Sequence, residues 1–484
     1  MRGRWKKYWS YGNYYHSRAE IFYPASIGEL KETIAFAKKN NRKITIAGGF
    51  LSFDNQNSGS DIVISLKKIN FIRFNEKDKT IEVGPGANWG NIIKTAYSNH
   101  CIPFTTITGS KPTAGGTISA HTNSVYTPGC GKEGKHCIEL DLLTPKGELL
   151  TCSRKQNANL FYGVVSGLGM LGFITRIKYQ LFYIGYPFAI AVTAKLYDTI
   201  EDIETRFDIR ESIEFKTVDD LGSQGSLFYF DGNTPKFGVY NRKYIQINKH
   251  QSHFSIYRYI GMFTMFIVRF FPRYASKEMV KDEKRSLEKK RVLKGAEKVY
   301  YGTLWADTDY LYAKYIGKLF SIFGYKAKLY QNSYFIPLEA NKVTVFTQKV
   351  CELLLKYQLH FGMFDIMYIP KDEHFVLSAS RDIDGFYINT TFFDRTDVNS
   401  LMAFYKELNE LCFSMGGKMN LVKNLFIEPS LLEKMYGEAI EELIVLKKET
   451  DPDNLIASNI FQRCPGFLRY GCTVLRAKRC VSHR

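Results

Sequence analysis

Residues 43–66 read KITIAGGFLSFDNQNSGSDIVISL, and the chain is organised around them. A β-type run, Ile44-Thr45-Ile46, stops at Ala47-Gly48-Gly49. A second run, Ile62-Val63-Ile64, closes the stretch. Between them lie Ser52, Asp54, Asn55, Gln56, Asn57 and Gly59. Two glycines followed by small polar residues predict a tight exposed loop, because glycine tolerates positive φ and lets another group approach the backbone. Successive free N–H groups in such a loop form a concave anion site. The loop alone is equally the pattern of an ordinary turn between strands.

Two further stretches narrow the choice. Residues 109–123 read GSKPTAGGTISAHTN, with a second Gly-Gly pair, Gly115-Gly116, set among Thr113, Ala114, Thr117, Ser119 and Ala120. Residues 157–176 read NANLFYGVVSGLGMLGFITR. Three glycine-rich loops beside β-type runs suggest a surface for a long cofactor. Gly167, Gly169 and Gly172 match G-x-G-x-x-G letter for letter. A nicotinamide-dinucleotide site also needs an acid about twenty residues on, and LFYIGYPFAIAV offers none.

The segments IAGGFLSFDNQN, IEVGPGANWGNII, TAGGTISAH, CIELDLLTPKGELLTCS and NLFYGVVSGLGMLGFITRIKYQL follow one another in this order. In that order they resemble the FAD-binding domain of the vanillyl-alcohol oxidase and para-cresol methylhydroxylase (PCMH) family. The resemblance covers roughly the first 181 residues and resumes in GGKMNLVK (416–423) and DPDNLIASNIFQR (451–463). That second pair is most similar to the decaprenylphosphoryl-ribose oxidase branch. The resemblance implies an α+β flavoprotein with an FAD-binding domain over 1–184 and an antiparallel-sheet substrate domain over 185–415. Residues 416–484 are then expected to return to the first domain.

The resemblance also assigns residues. FAD is expected on Ala47, Gly48, Gly49, Phe50, Leu51, Ser52, Phe53 and Asp54 at the diphosphate loop. Gly109, Thr113, Ala114, Gly115, Gly116, Thr117 and Ser119 form the second flavin loop, and Ile174 faces the adenine end. Leu51 occupies the position where the family often carries a histidine bonded to the flavin, so FAD is expected to be non-covalent. His121 matches a histidine beside the flavin ring. Lys423 matches a lysine that stabilises negative charge on reduced flavin. Asn420 stands where the relatives have tyrosine, which leaves the substrate open, and Asn459 is placed near the flavin. No metal is expected. The activity implied is transfer of a hydride from a sugar-like or lipid-linked alcohol to flavin N5, with the electron acceptor unspecified. The alternatives are reduction of a carbon–carbon double bond, as in sterol side-chain reductases, and a flavin-binding protein without catalysis.

Composition agrees with a folded chain: 484 residues, 45% hydrophobic and 24% charged. The formal charge of +18 favours anionic partners, namely nucleic acid, anionic lipid or phosphorylated substrates. Nucleic acid is the weakest of the three, because zinc-finger spacings and RNP-like motifs are missing. Nine cysteines without a C-x-x-C pair argue against a disulfide framework and structural zinc. They fit a reducing compartment, hence a cytoplasmic location. The basic N-terminus lacks the apolar core of a signal peptide.

Local patterns predict a helix after Ser26 with Leu30, Ile34, Phe36 and Ala37 on its stripe, and another over 88–98. Residues 186–415 alternate strand-like and helical runs, the pattern of an antiparallel sheet with helices on one face. Residues 254–277, FSIYRYIGMFTMFIVRFFPRYASK, are apolar and aromatic but interrupted by Arg258, Arg269 and Arg273. They are too short between charges for the roughly twenty residues that span a bilayer. Core helix and membrane-facing segment both fit, the latter because a basic run over 277–298 follows and favours a peripheral anionic membrane surface.

Overall fold

Three β-sheets surround a shared interior in the computed structural model. It describes residues 3–461 and 466, except 60, 108, 125–129, 198, 202, 208–222, 231–234, 250–261, 264–265, 268, 272–290, 294–308, 340, 360–362, 373 and 394–395. The basic run over 277–298, apart from Arg291–Leu293, and much of the aromatic segment 254–277 therefore lie outside the described residues.

The first sheet has four strands in the order β1 (Arg4–Trp9), β2 (His16–Phe22), β4 (Ile62–Ser65), β3 (Ile44–Ala47). Strand β4 runs parallel to both β2 and β3. Parallel neighbours need a crossover. Between β2 and β3 it is helix α1 (Ile27–Lys39), capped by Ser26 as expected. Between β3 and β4 it is the Gly48–Asp61 loop itself. Leu30, Ile34 and Ala37 of α1 are buried, whereas Phe36, placed on the stripe by sequence, is exposed.

The second sheet is antiparallel. Its path is β5 (Ile72–Asn75), β6 (Thr80–Val83), β10 (Phe173–Tyr183), β8 (Cys137–Leu143), β9 (Leu149–Ser153), and β7 (Cys101–Pro103) also pairs with β10. Helices α2 (Trp89–Ser98), α3 (Ala114–Ser119) and α4 (Ala158–Val164) belong to this part of the chain. The second Gly-Gly pair thus lies inside a short helix rather than in an open loop.

The third sheet has eight strands in the order β14 (Arg291–Leu293), β11 (Phe188–Tyr197), β13 (Pro235–Gln246), β12 (Ser223–Phe230), β16 (Met363–Ile369), β17 (Gly385–Phe393), β15 (Leu329–Pro337), β18 (Lys418–Met419). Every pairing is antiparallel. Helices α5 (Lys342–Lys356) and α6 (Val398–Ser414) pack on β15. This matches the expected antiparallel sheet with helices on one face.

Residues alternate between sheet faces with period two, so the register decides which face each side chain takes. Tyr334 packs on Phe346 of α5, and Phe392 packs on Phe404 and Tyr405 of α6. The opposite face of the same strands therefore carries Leu329 and Gln331, Asp365 and Met367, and Asn389, Thr391 and Phe393. In the register Gln331 pairs with Thr391 and Asp365 with Asn389.

Because β18 pairs with β15, residue 416 is not where the chain leaves the third sheet. The return lies further on. Helix α7 (Pro429–Thr450) packs on α4 and on α6, and Ile44 bridges Ile456 in parallel. Buried Lys447 ties this return together, its Nζ 2.6 Å from Asp451 and donating to the Met170 and Ile456 carbonyls.

Candidate active site: a cavity walled by all three sheets

One cavity of about 490 Å³ runs between the sheets. At one end β3 delivers Ala47, Gly48, Gly49, Phe50, Leu51, Ser52 and Phe53 to its wall. Facing them are Gly109, Thr113, Gly115, Gly116, Thr117 and Ser119 from the second glycine-rich stretch. Leu168, Gly169, Gly172 and Ile174 of the third stretch close this end. The three loops that the sequence singled out thus meet around one space.

The glycines work differently from expectation. Among residues 47–53 the left-handed conformation belongs to Phe50 (φ 59°), not to Gly48 or Gly49. Gly48 is required by close approach: a Cβ there would stand 2.4 Å from Thr113 Oγ1. At Gly115 a Cβ would stand 2.7 Å from Pro85 Cβ. At Gly49 the nearest atom would be 3.4 Å away, at the edge of ordinary contact. The two loops are held edge to edge, and bulk on either would separate them.

Polar groups without protein partners point to a polar ligand. Thr113 Oγ1 and both side-chain atoms of Asn57 are buried and unpartnered, and both residues line the cavity. A buried amide or hydroxyl left unpaired costs about 1–3 kcal/mol, which a polar ligand would recover. With backbone loops free of side-chain bulk, they fit the phosphate-bearing part of a dinucleotide.

The diphosphate loop is tied to the chain around Lys423. Asp54 is fully buried and turned away from the cavity; its Oδ2 accepts the Leu425 N–H at 2.7 Å and its Oδ1 the Asn55 N–H. Gln56 Nε2 donates to the Leu421 and Lys423 carbonyls, and Asn424 Nδ2 donates to the Phe53 carbonyl. Ser458 Oγ donates to the Asn55 and Gln56 carbonyls, and the Asn459 N–H to the Ser58 carbonyl. Asp54 therefore braces the loop, and Asn459 is placed beside the loop without lining the cavity.

Lys423 lines the cavity with its ammonium 4.5 Å above the Phe53 ring. Burial lowers its pKa to about 8, with Asp365 opposing the shift. Burial raises the Asp365 pKa; Asn389, whose Nδ2 donates to Asp365 Oδ2 at 2.6 Å, and Lys423 pull the other way. Gln331 Nε2 donates to Thr391 Oγ1 at 2.9 Å. With Arg242, Asp309 and Tyr310, these residues make a second, polar end of the cavity. None of them was singled out by sequence except Lys423. The strand alternation described above is the signal that marks Gln331, Asp365, Asn389 and Thr391, and it needs the register to be read.

His121, expected beside the flavin, is not part of the cavity wall. It takes a left-handed backbone (φ 46°), which turns its ring away to sit 3.1 Å from Asp372 Oδ2, while its Nδ1 accepts the Gly134 N–H. Asp372 also holds Lys132 at 2.8 Å and accepts from Ser378 and Ser380. Burial pushes the His121 pKa down to about 4, so the ring is neutral near pH 7. Asn420 is likewise off the wall, since its Oδ1 accepts the Val422 N–H within the turn that presents Lys423. Ala114, the first residue of α3, is buried and off the wall, its N–H bonded to the Ala87 carbonyl.

Behind α3, Trp89 Nε1 donates to Thr117 Oγ1, which donates to Glu133, and Tyr179 donates to the same carboxylate oxygen. Burial raises the Glu133 pKa to about 8.

Comparison with known proteins adds to this geometry. Residues 19–153 match the family described as FAD binding domain, and residues 311–464 match the family described as D-arabinono-1,4-lactone oxidase. Cytokinin dehydrogenase 2 of Arabidopsis thaliana is 29% identical over 33% of this chain and 33% of its own length. Cytokinin dehydrogenase 4 of the same plant is 38% identical over 21% of this chain and 19% of its own. Cytokinin dehydrogenase 9 of Oryza sativa subsp. japonica is 27% identical over 33% and 32%. The chain thus spans a third or less of the length of these curated relatives. The two family matches, in this order, support the FAD-linked oxidase grouping of the PCMH type, and FAD is the cofactor.

Proposed function

We propose that this FAD-linked flavoprotein is an oxidoreductase that oxidises a CH–OH group of a sugar-like, polyhydroxylated substrate at the Lys423 end of its cavity. The observation that carries the proposal is the polar face of the third sheet. Gln331, Asp365, Asn389 and Thr391 converge there beside the half-buried Lys423 cation. Asn389 and Asp365 bond each other, as do Gln331 and Thr391; an apolar ring would make no use of the donor and acceptor capacity they have left, whereas neighbouring hydroxyls match it. Residues 311–464, which supply all four and Lys423, are also the part similar to a family named for a sugar lactone.

The glycine-rich loops, Thr113 and Asn57 would hold the dinucleotide. Bound there, FAD supplies an acceptor for a hydride. The lining holds neither histidine nor cysteine among the described residues, and Leu51 stands at the wall, which supports non-covalent binding. Asp365 is the group suited to take the hydroxyl proton: it lies half-buried on the cavity wall and desolvation raises its pKa above that of an ordinary carboxylate. Lys423, protonated below about pH 8, supplies positive charge where negative charge develops. Decaprenylphosphoryl-ribose, other lipid-linked sugars and free sugar lactones all present such hydroxyls.

Anaerobic mixing with a panel of aldoses, alditols and aldonolactones tests the proposal. At least one should bleach the flavin absorbance, and Lys423→Met should slow bleaching on the order of a hundredfold, the scale of losing one preorganised charge. Bleaching by NADPH and re-oxidation by an enone, with no response to any polyol, would overturn it in favour of double-bond reduction.

A further inference from the structure

We propose that the exposed apolar side chains of two adjoining stretches, the described residues between 262 and 271 and residues 310–323, form a docking surface for an anionic lipid bilayer. In the first segment Phe263, Ile267 and Phe271 are exposed at helical spacing. In the second, Tyr315, Leu319, Ile322 and Phe323 are exposed, the last two at 77% and 80%. In the first segment the spacing of four puts the set on one side; in the second, a π turn (Tyr312–Ile316), an α turn (Gly317–Phe320) and a 3-10 turn (Ser321–Phe323) follow one another and carry the exposed set.

Among the described residues, the core packing of these stretches uses other side chains. The opposite faces already fill the interior: Met262, Phe266, Phe270, Ile316 and Tyr325 pack around Tyr312, Ala327, Leu329 and Phe393. The Phe270 and Phe320 rings, 5.9 Å apart, hold the two segments together. So many large apolar side chains exposed side by side exceed what scattered surface residues explain and mark an interaction site.

Charge selects the occupant. No acidic residue occurs from 310 to 338, while Lys314, Lys318 and Lys326 are exposed beside the apolar side chains. Segment 262–271 contains no acid either, and its Arg269 is turned inward. Among the described residues this is an apolar strip edged by lysines and without carboxylates, the pattern that lies in a headgroup layer of anionic lipid. A second copy of the chain would set these lysines against their own kind, a juxtaposition that opposes association. No helix among the described residues is long and apolar enough to cross a membrane, so the surface rests on the bilayer rather than spanning it.

The surface is fixed to the cavity wall. Arg269 is ion-paired with Asp309, donates to the Lys328 carbonyl at 3.0 Å and lies over the Tyr312 and Phe393 rings. Asp309 in turn accepts from Tyr11 at 2.8 Å. Asp309, Phe393 and Tyr11 all line the cavity.

Co-sedimentation with phosphatidylserine–phosphatidylcholine vesicles tests the proposal, with pure phosphatidylcholine vesicles alongside. The wild-type chain should partition onto the anionic vesicles, less at high salt, and weakly onto neutral ones. Ile322→Glu with Phe323→Glu, and separately Lys314→Glu with Lys318→Glu, should each weaken partitioning at least about tenfold. None of these side chains lines the cavity, so FAD content, measured on the same samples, should stay at the wild-type level and reports separately on the flavin site. Equal sedimentation of wild type and both variants, or none at all, would overturn the proposal. So would a wild-type dimer that Ile322→Glu with Phe323→Glu converts to monomer without any vesicle binding by the wild type.

Discussion

Gly48→Ala tests how the cofactor loops are held. The added methyl would stand 2.4 Å from Thr113 Oγ1 and 3.6 Å from the Gly116 nitrogen. The first distance is about 1 Å inside ordinary contact, and Thr113 has only a short side chain to rotate. Forcing one methyl into such a junction costs about 1–3 kcal/mol, equivalent to roughly fivefold to a hundredfold weaker FAD binding. Backbone strain adds nothing, because Gly48 does not have a positive φ. Three variants separate the causes. Gly49→Ala meets Thr113 Cγ2 at 3.4 Å and should lose little. Gly48→Ala in a Thr113→Ala background lacks the clashing hydroxyl and, measured against Thr113→Ala alone, should recover most of the loss, a coupling of about 1 kcal/mol or more between the two sites. The assay is fluorescence titration of the apoprotein with FAD. Wild-type affinity in Gly48→Ala, or no recovery in the double variant, would refute the loop-to-loop contact as the reason for the glycine.

Catalysis that depends on the Lys423 cation should fall as pH rises through about 8, since burial depresses its pKa to that value; a pH profile of flavin reduction reads this, and Lys423→Arg should move the fall beyond the measurable range. Glu133 binds a proton in the fold up to about pH 8 but only to about 4.5 when unfolded, so it opposes folding increasingly as pH rises across that window. Glu133→Gln should therefore raise Tm at pH 7 and above, and an unchanged or lower Tm would contradict a protonated, buried Glu133. Asp54→Ala leaves the Leu425 N–H without its acceptor inside the protein, which should cost about 1–3 kcal/mol by denaturant unfolding. It should also slow flavin reduction, because the lost bond ties the diphosphate loop to the stretch that presents Lys423.

What the sequence revealed was local. Residues 44–49 spell a strand running into glycines, and the loop is where that pattern puts it. The residue with positive φ is Phe50, because the constraint comes from Thr113 on another loop and not from the dipeptide. The polar end is not legible locally because Gln331, Asp365 and Asn389 lie on three strands, the first two separated by a helix and the last two by a long connection. Their meeting depends on register rather than on any motif. His121 was misplaced for a similar reason: its left-handed backbone and its attraction to Asp372, about 250 positions away in sequence, turn the ring from the cavity. Lys418 and Met419 read as part of a cofactor segment, yet backbone pairing with Phe335 and Tyr334 claims them for the third sheet.

The most direct measurement is the visible spectrum of the purified protein before and after acid precipitation. A cavity that holds FAD by fit alone predicts a flavin spectrum at one FAD per chain, released in full into the supernatant. Yellow colour retained in the washed pellet would contradict non-covalent binding, and a colourless protein that takes up no added FAD would contradict the cavity as a flavin site.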